Sequence, residues 1–450
     1  MSQQYSRIAE FIARPGVPAS ARDRVSLLLT DTIGVAAGAT HLEPSEIARR
    51  HAVRFHRAAD PADSAPMLFD GRMVSVPASA YAAATQIDNL DAHDGFNPVK
   101  GHIGCAVVPA LFAFAAARPN LTARDALDIL AMSYEISARA GLALHASVSD
   151  YHTSGAWNAL GVAAIGCRLR DADATQTREA LGIAEYHGPR SQMMREIETP
   201  TMLHDGSGMG AFTGAMAALL ALDGFQGAPA ITVEAPDIRE YWDDLGTRWT
   251  LEENYIKPYP VCRWAHAPLD GLRAVMHRHD LAHTDISAID VHTFAEGAAL
   301  YPGLPETTGQ AQYSMHFALS VLMCYGQVGP EHISGPGLHD PDVAALIRRI
   351  TVHEDTGHNA RFPQRRTAEV VVTLNDGTTL RSGVTDARGG PDTWLPEAEY
   401  EEKFMQFCAP VTGDARAARL WNMRMRMVDE GDMLFSDLVD LVTQPVPPRN

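Results

Sequence analysis

Asn89-Leu-Asp-Ala-His-Asp-Gly-Phe-Asn-Pro-Val-Lys-Gly-His-Ile-Gly-Cys-Ala-Val-Val-Pro109 is a polar, turn-rich stretch set between two alanine-rich apolar segments, 78–90 and 107–117. Both flanks read as buried helices. The stretch gathers Asp91, His93, Asp94, Lys100 and His102 into a span broken by Gly95, Pro98, Gly101 and Gly104. Taken singly, each has a plain structural explanation: Asp91 and Asp94 as turn caps, His93 as a solvated ring, Lys100 as a surface charge. Taken as a set between core helices they point to a site, because buried charges are costly unless paired or used.

Working outward, the apolar spacing predicts helices over 6–13, 20–39, 47–57, 121–143, 160–169 and 211–222. The helix at 121–143 starts at a Thr122 cap, with Asp125 in the capping-box position. Asp31-Thr-Ile-Gly, near the end of the second helix, reads as a helix-packing motif, and Pro61 to Pro66 as a surface loop. After His266 the texture changes. Residues 286–294 read as a strand, 311–325 as a helix, and 368–374 with 378–384 as a hairpin around Asn375-Asp376-Gly377, before helices return over 400–442. The expectation is a mainly α chain. A large all-helical domain, 1–266 plus 394–450, is interrupted by a smaller α/β domain over 267–393.

With 450 residues, 46% hydrophobic and 20% charged, the composition is that of a globular protein. No apolar run reaches membrane-spanning length and the N-terminus lacks a secretory pattern, so a cytoplasmic protein is expected. The five cysteines are scattered singly, which argues against a zinc ribbon, an iron–sulfur signature or a disulfide framework. A net charge of −18 makes nucleic acid and anionic membranes poor partners. It leaves room for a small anion if cations are concentrated locally. Only three lysines occur, and two of them, Lys100 and Lys257, fall in motif-like stretches; the third is Lys403.

Three further stretches carry candidate groups. Tyr151-His-Thr-Ser-Gly-Ala-Trp157 places His152 and Thr153 at the mouth of a helix. Thr199-Pro-Thr-Met-Leu-His-Asp-Gly-Ser-Gly-Met-Gly-Ala211 is a glycine-rich loop running into a helix, suited to presenting backbone N–H groups to a carboxylate or phosphate. It is neither a Walker sequence nor a dinucleotide fingerprint. Tyr255-Ile-Lys-Pro-Tyr-Pro-Val-Cys-Arg-Trp-Ala-His-Ala267 is stiffened by its prolines and holds Lys257, Arg263 and His266.

In their order and spacing these segments resemble the MmgE/PrpD family, which includes 2-methylcitrate dehydratase, cis-aconitate decarboxylase and iminodisuccinate epimerase. The residues that carry the resemblance are Asp31-Thr-Ile-Gly, Leu90-Asp-Ala-His-Asp94 with Gly101-His102, the stretch from His152, the glycine-rich loop, Lys257-Pro-Tyr-Pro-Val-Cys-Arg263 and His266. The resemblance implies a helical domain with an α/β lid, a homodimer, and a site between the domains with no metal or organic cofactor. It implies that Asp91, His102 and His266 are active-site residues. Two departures stand out. The family's Asp-aromatic-Asp-Asp-Thr becomes Asp91-Ala-His-Asp-Gly95, and a lysine before the glycine-rich loop becomes His204.

The chemistry of the residues agrees with such a site. Reaction beside a carboxylate needs a base, an acid and cations for the developing enediolate. His102 and His266 suit proton transfer and Asp91 an orienting role, while His93, Lys100, His152, His204, Lys257 and Arg263 suit substrate binding. The expectation is a cofactor-independent lyase on a small di- or tricarboxylic acid. The alternative is an epimerase of an amino- or imino-dicarboxylate. A third reading is a metal-dependent hydrolase using Asp91, His93, Asp94 and His102, and a fourth a catalytically inactive carboxylate binder.

Overall fold

The computed structural model describes residues 2–448. Helices dominate. They run over Gln3–Ala13, Ala19–Gly38, Glu43–Phe55, Val76–Asp88, Gly104–Ala115, Ala123–Ser147, Gly155–Leu169, Ala174–His187, Ser207–Leu222 and His266–His279, and again over Glu397–Thr412, Asp414–Asp429 and Ser436–Thr443. Helix Gly104–Ala115 is buried on every face, which is why its sequence carries no polar stripe. Small residues let the central helices touch closely. A Cβ on Gly161 would stand 2.0 Å from Ser137 Oγ, and one on Gly214 2.3 Å from the Ala159 carbonyl.

Helix Glu397–Thr412 lies against Ala19–Gly38, with the Phe404 ring filling the space over Gly34. Beside it Lys403 Nζ bonds Asp31 Oδ1 at 2.6 Å and the Ala92 carbonyl at 2.8 Å. The Asp31 motif therefore serves packing, and through Lys403 it also anchors the polar stretch at its centre. One hydrophobic cluster extends from Tyr5 to Val442. Among the described residues no single helix is long and apolar enough to cross a membrane.

Between residues 286 and 386 lies a small mixed sheet. Strand Ile286–Thr293 pairs in parallel with Ile350–Glu354 and antiparallel with Thr367–Leu374. Thr367–Leu374 in turn pairs with Thr379–Arg381 and Thr385–Asp386. The hairpin stands where Asn375-Asp376-Gly377 predicts it, with Gly377 at φ 85°.

Several expectations need correction. The helix expected over 311–325 is two, Thr308–Gln312 and Met315–Tyr325, because the Ser314 side chain caps a fresh start by accepting from the Phe317 N–H. Strand Ile350–Glu354 has no counterpart among the expected elements. The loop at 61–66 ends in a strand, Ser64–Pro66, paired with Met73–Ser75. The second strand of the hairpin ends at Arg381 rather than Val384.

At the start of Ala123–Ser147 the Asp125 N–H donates to Thr122 Oγ1 at 3.1 Å, as the cap signal implies. Thr122→Ala is expected to lower stability by about 1 kcal/mol, read as a shifted urea midpoint at constant slope. An unchanged midpoint would show that the cap is idle.

Candidate active site

The stretch 89–109 packs inside the molecule, and its backbone is unusual where its chemistry is concentrated. Asp91 and Lys100 both have φ 54°, and His204 has φ 45°. Non-glycine residues rarely adopt left-handed backbone, and they keep it only where their surroundings fix it. At Asp91 the cause is visible. The fully buried Lys257 ammonium bonds the Asp91 carbonyl at 3.0 Å and also its carboxylate. Burial pushes the Asp91 carboxyl upward against the pull of Lys257. Burial opposes the charge on Lys257, yet Asp91 holds the ammonium above its ordinary value. The pair is ionic, and its geometry fixes the loop.

His102 lies just before helix Gly104–Ala115. Its backbone N–H donates to Ser154 Oγ at 2.8 Å, and its carbonyl accepts from Asn158 Nδ2 at 2.8 Å. The ring Nδ1 lies 2.8 Å from the Asp94 carbonyl, which can only accept, so Nδ1 carries the proton. Nε2 is left with its lone pair, 3.4 Å from Asp205 Oδ2. Burial drives this imidazole well below its usual value, and the nearby Lys257 charge adds to the effect.

Asp205 is held by the backbone N–H and hydroxyl of Ser154, at 3.2 and 3.0 Å. Burial raises its carboxyl to about 6. Asp88 is raised well above its normal value, first by burial and then by Asp205. Glu196 is raised by burial and by Asp205, and it shares a hydrogen bond with the Tyr313 hydroxyl. In the glycine-rich loop the Ser207 N–H, at the start of a helix, donates to Asp88 Oδ2 at 3.1 Å, so that donor is taken by the protein's own carboxyl group.

The other expected residues divide by position. His93 is fully buried, with its ring edge-to-face on His102 at 4.5 Å and Nε2 3.6 Å from Asp88 Oδ1. Burial and the neighbouring His102 keep it neutral. His204 is buried with Nδ1 3.7 Å from Glu196, and burial lowers it to about 3. Arg263 is buried, with its guanidinium 4.2 Å over the Tyr255 ring. Lys257, His93, His102, Asp91 and His204 thus gather in one buried cluster. His266 is also buried, but Nε2 donates to the Val261 carbonyl at 3.0 Å and Nδ1 faces Arg263 Nη1 at 3.5 Å, so both ring nitrogens are engaged in holding the 261–266 segment. Lys100 and His152 are only half-buried. Lys100 Nζ stands 4.1 Å over the Tyr151 ring at the edge of a surface cavity of about 380 Å³. The His152 N–H donates to His145 Nε2 at 3.2 Å.

Asp88, Asp205, Glu196, Tyr255, Tyr313 and Arg366 join the site without having been expected. Two had a local signal, Asp205 by its place between His204 and Gly206 in the glycine-rich loop and Tyr255 by its place at the head of the proline-stiffened stretch. Tyr255 stands against Gly95, where a Cβ would meet the tyrosine hydroxyl at 2.3 Å and His102 Nδ1 at 2.8 Å. Donor atoms of Asp91, His93 and His102 lie within 4.8 Å of one another, as do those of Asp88, His93 and Cys105. At Asp91, however, the Lys257 ammonium already holds the cationic position, and a dication would have to displace a buried charge.

Two family models cover almost the whole of this arrangement. The MmgE/PrpD N-terminal domain matches residues 6–237 and the MmgE/PrpD C-terminal domain matches residues 259–427. The chain belongs to the MmgE/PrpD family. Membership makes it a dehydratase-like or related enzyme. No curated protein matches the chain. The site elements fall in both matched domains: Asp91, His102 and Asp205 in the first, Arg263 and Arg366 in the second, with Lys257 in the short join between them.

Proposed function

We propose that the protein is a cofactor-independent lyase, of dehydratase or decarboxylase type, acting by proton transfer beside a carboxylate of a small di- or tricarboxylic acid. The observation that carries this reading is His102. With Nδ1–H committed to the Asp94 carbonyl and the ring held neutral, Nε2 is a base whose lone pair is fixed in direction. In the dehydratase form, Nε2 removes a proton from the carbon next to a carboxylate. The C–H electron pair moves into that carboxylate as an enediolate, stabilised by the Lys257 ammonium and the Arg263 guanidinium. The pair then returns to form the carbon–carbon double bond as the C–O bond to hydroxyl breaks. The Asp205 carboxyl, protonated below about pH 6, gives the hydroxyl its proton so that water leaves. Asp91 orients Lys257, and His266 keeps Arg263 in place. Residues 267–393 act as a lid, because they bring Arg366 to a site whose base lies in the helical part. The assembly implied by the family is a homodimer.

One observation favours a second reading, an epimerase of an amino- or imino-dicarboxylate. His93 stands where the family pattern has a carboxylate, and both its ring nitrogens are buried without hydrogen-bond partners. It is a second neutral imidazole beside the first.

Incubating succinate-type and citrate-type acids with the enzyme in deuterated water, with NMR detection, separates the two. A new unsaturated acid, or carbon dioxide, is expected for the lyase. Deuterium entering the α-carbon with no new alkene would assign the epimerase, and the absence of both with every acid would remove each reading.

A further inference from the structure

We infer that Arg366, paired with Arg263, forms a binding pole for one carboxylate of the substrate, on the Tyr255 side of the site. Arg366 precedes strand Thr367–Leu374, and Arg263 comes from the proline-stiffened 255–267 segment. They are 2% and 5% exposed. Their hydrogen bonds go to backbone carbonyls. Arg366 uses Pro363 and Asn97, the latter at 3.4 Å, and Arg263 uses Ala387 at 2.9 Å and Arg388 at 2.5 Å, besides its contact with the His266 ring. Neither makes an ion pair with a carboxylate among the described residues, although every carbonyl they bind carries only a partial charge.

Two desolvated guanidiniums that feel each other's charge, with no carboxylate in ion-pair contact and only Asp270 and Asp386 acting on Arg263 from further off, are an expensive arrangement. It is the more unusual in a chain of net charge −18. The Nε atom of each arginine is buried and has no partner, so both side chains retain unused donor capacity. The half-buried Lys100 adds to the same field and is itself pushed down by burial and by Arg366. The buried carboxyl groups Asp88, Asp91, Asp205 and Glu196 gather instead around Lys257, His102 and His204. Among the described residues these carboxyl groups leave Arg263 and Arg366 without an ion-pair partner of their own. A carboxylate is the planar anion that an arginine fork matches.

This inference rests on the lyase reading for the word substrate, but its test is a binding test. The full chain is titrated by calorimetry and thermal melting with succinate, and with succinamide, which has the same length and no charge. Succinate is expected to bind saturably and raise Tm, and succinamide to do neither. Arg366→Met should weaken succinate binding at least about tenfold. It should leave the Tm of the ligand-free protein unchanged or higher, since an unpaired buried charge is removed. Wild-type affinity in Arg366→Met overturns the inference, and so does a wild-type protein that responds equally to succinamide. If Arg366→Met does not fold, Arg366→Lys decides: it keeps the charge and loses the fork, so several-fold weaker binding supports the pole and unchanged binding removes it. Arg366-dependent succinate binding without turnover of any acid would leave the pole and remove the lyase. Turnover by Arg366→Met with unchanged KM would do the reverse.

Discussion

Replacing His102 by Asn is expected to lower kcat by roughly 10²- to 10⁴-fold, the range for loss of a general base. Substrate affinity should change little. The substitution is chosen for what it preserves. The Asn amide can still donate to the Asp94 carbonyl from about the position of Nδ1, so the loop keeps its anchor while the basic Nε2 disappears. The kcat loss should therefore come without a comparable fall in Tm. If the variant turns over at the wild-type rate, His102 is not the base, whatever the reaction. If it loses rate and stability in parallel, His102 is a structural residue. Asp205→Asn provides the companion measurement, because a carboxyl held near pH 6 in contact with Nε2 should give kcat/KM an inflection near that pH which the variant lacks.

Acid should destabilise this protein through its buried neutral histidines, and His204 gives the clearest case. Its folded-state value is lowered to about 3 by burial and by Lys257, against an ordinary 6.5. Below pH 6.5 the unfolded chain takes up a proton there that the folded protein refuses. The stability His204 contributes is fully present above pH 6.5 and is lost as pH falls toward 3, a loss of about 4–5 kcal/mol over the whole interval. Asp94 and Asp205, both raised to about 6 by burial, slope the other way, since their contribution is present below the ordinary carboxylate value and fades as pH rises through 6. A comparison with His204→Gln isolates the histidine. Between pH 7 and pH 5, denaturation midpoints should fall less in the variant than in the wild type. Parallel curves would mean that His204 titrates normally.

The fold was readable wherever one kind of periodicity ran long enough to dominate. The helical segments at 20–39 and 211–222 and the Asn375-Asp376-Gly377 turn lie close to where residue spacing put them. Strand Ile350–Glu354 escaped because five residues beside Arg348 and Arg349 carry too short an alternation to stand out, and only pairing with Ile286–Thr293 makes it a strand. For the site, the residues visible in the sequence were those in polar stretches interrupting apolar helices: Asp91, His93, His102 and Lys257. Arg366 follows Arg365 and reads as surface charge; tertiary packing alone buries it. Asp88 looks like the end of a helix, and nothing local shows that Ser207, far away in sequence, will bond it. Lys100 belongs to the same stretch, yet its ammonium stands over the Tyr151 ring rather than beside the base.

Gly95 and Tyr255 constrain one another. Where the family pattern has a threonine, this chain has a glycine, and the tyrosine hydroxyl occupies the volume that the threonine side chain would need. A lineage starting from threonine could not acquire Tyr255 first without a collision. A lineage starting from this chain could not regain threonine first. The passable order runs through glycine with a smaller residue at 255, an intermediate with neither hydroxyl beside His102. Relatives that carry threonine at this position should therefore lack tyrosine at the other, and a library that varies position 95 alone should recover glycine.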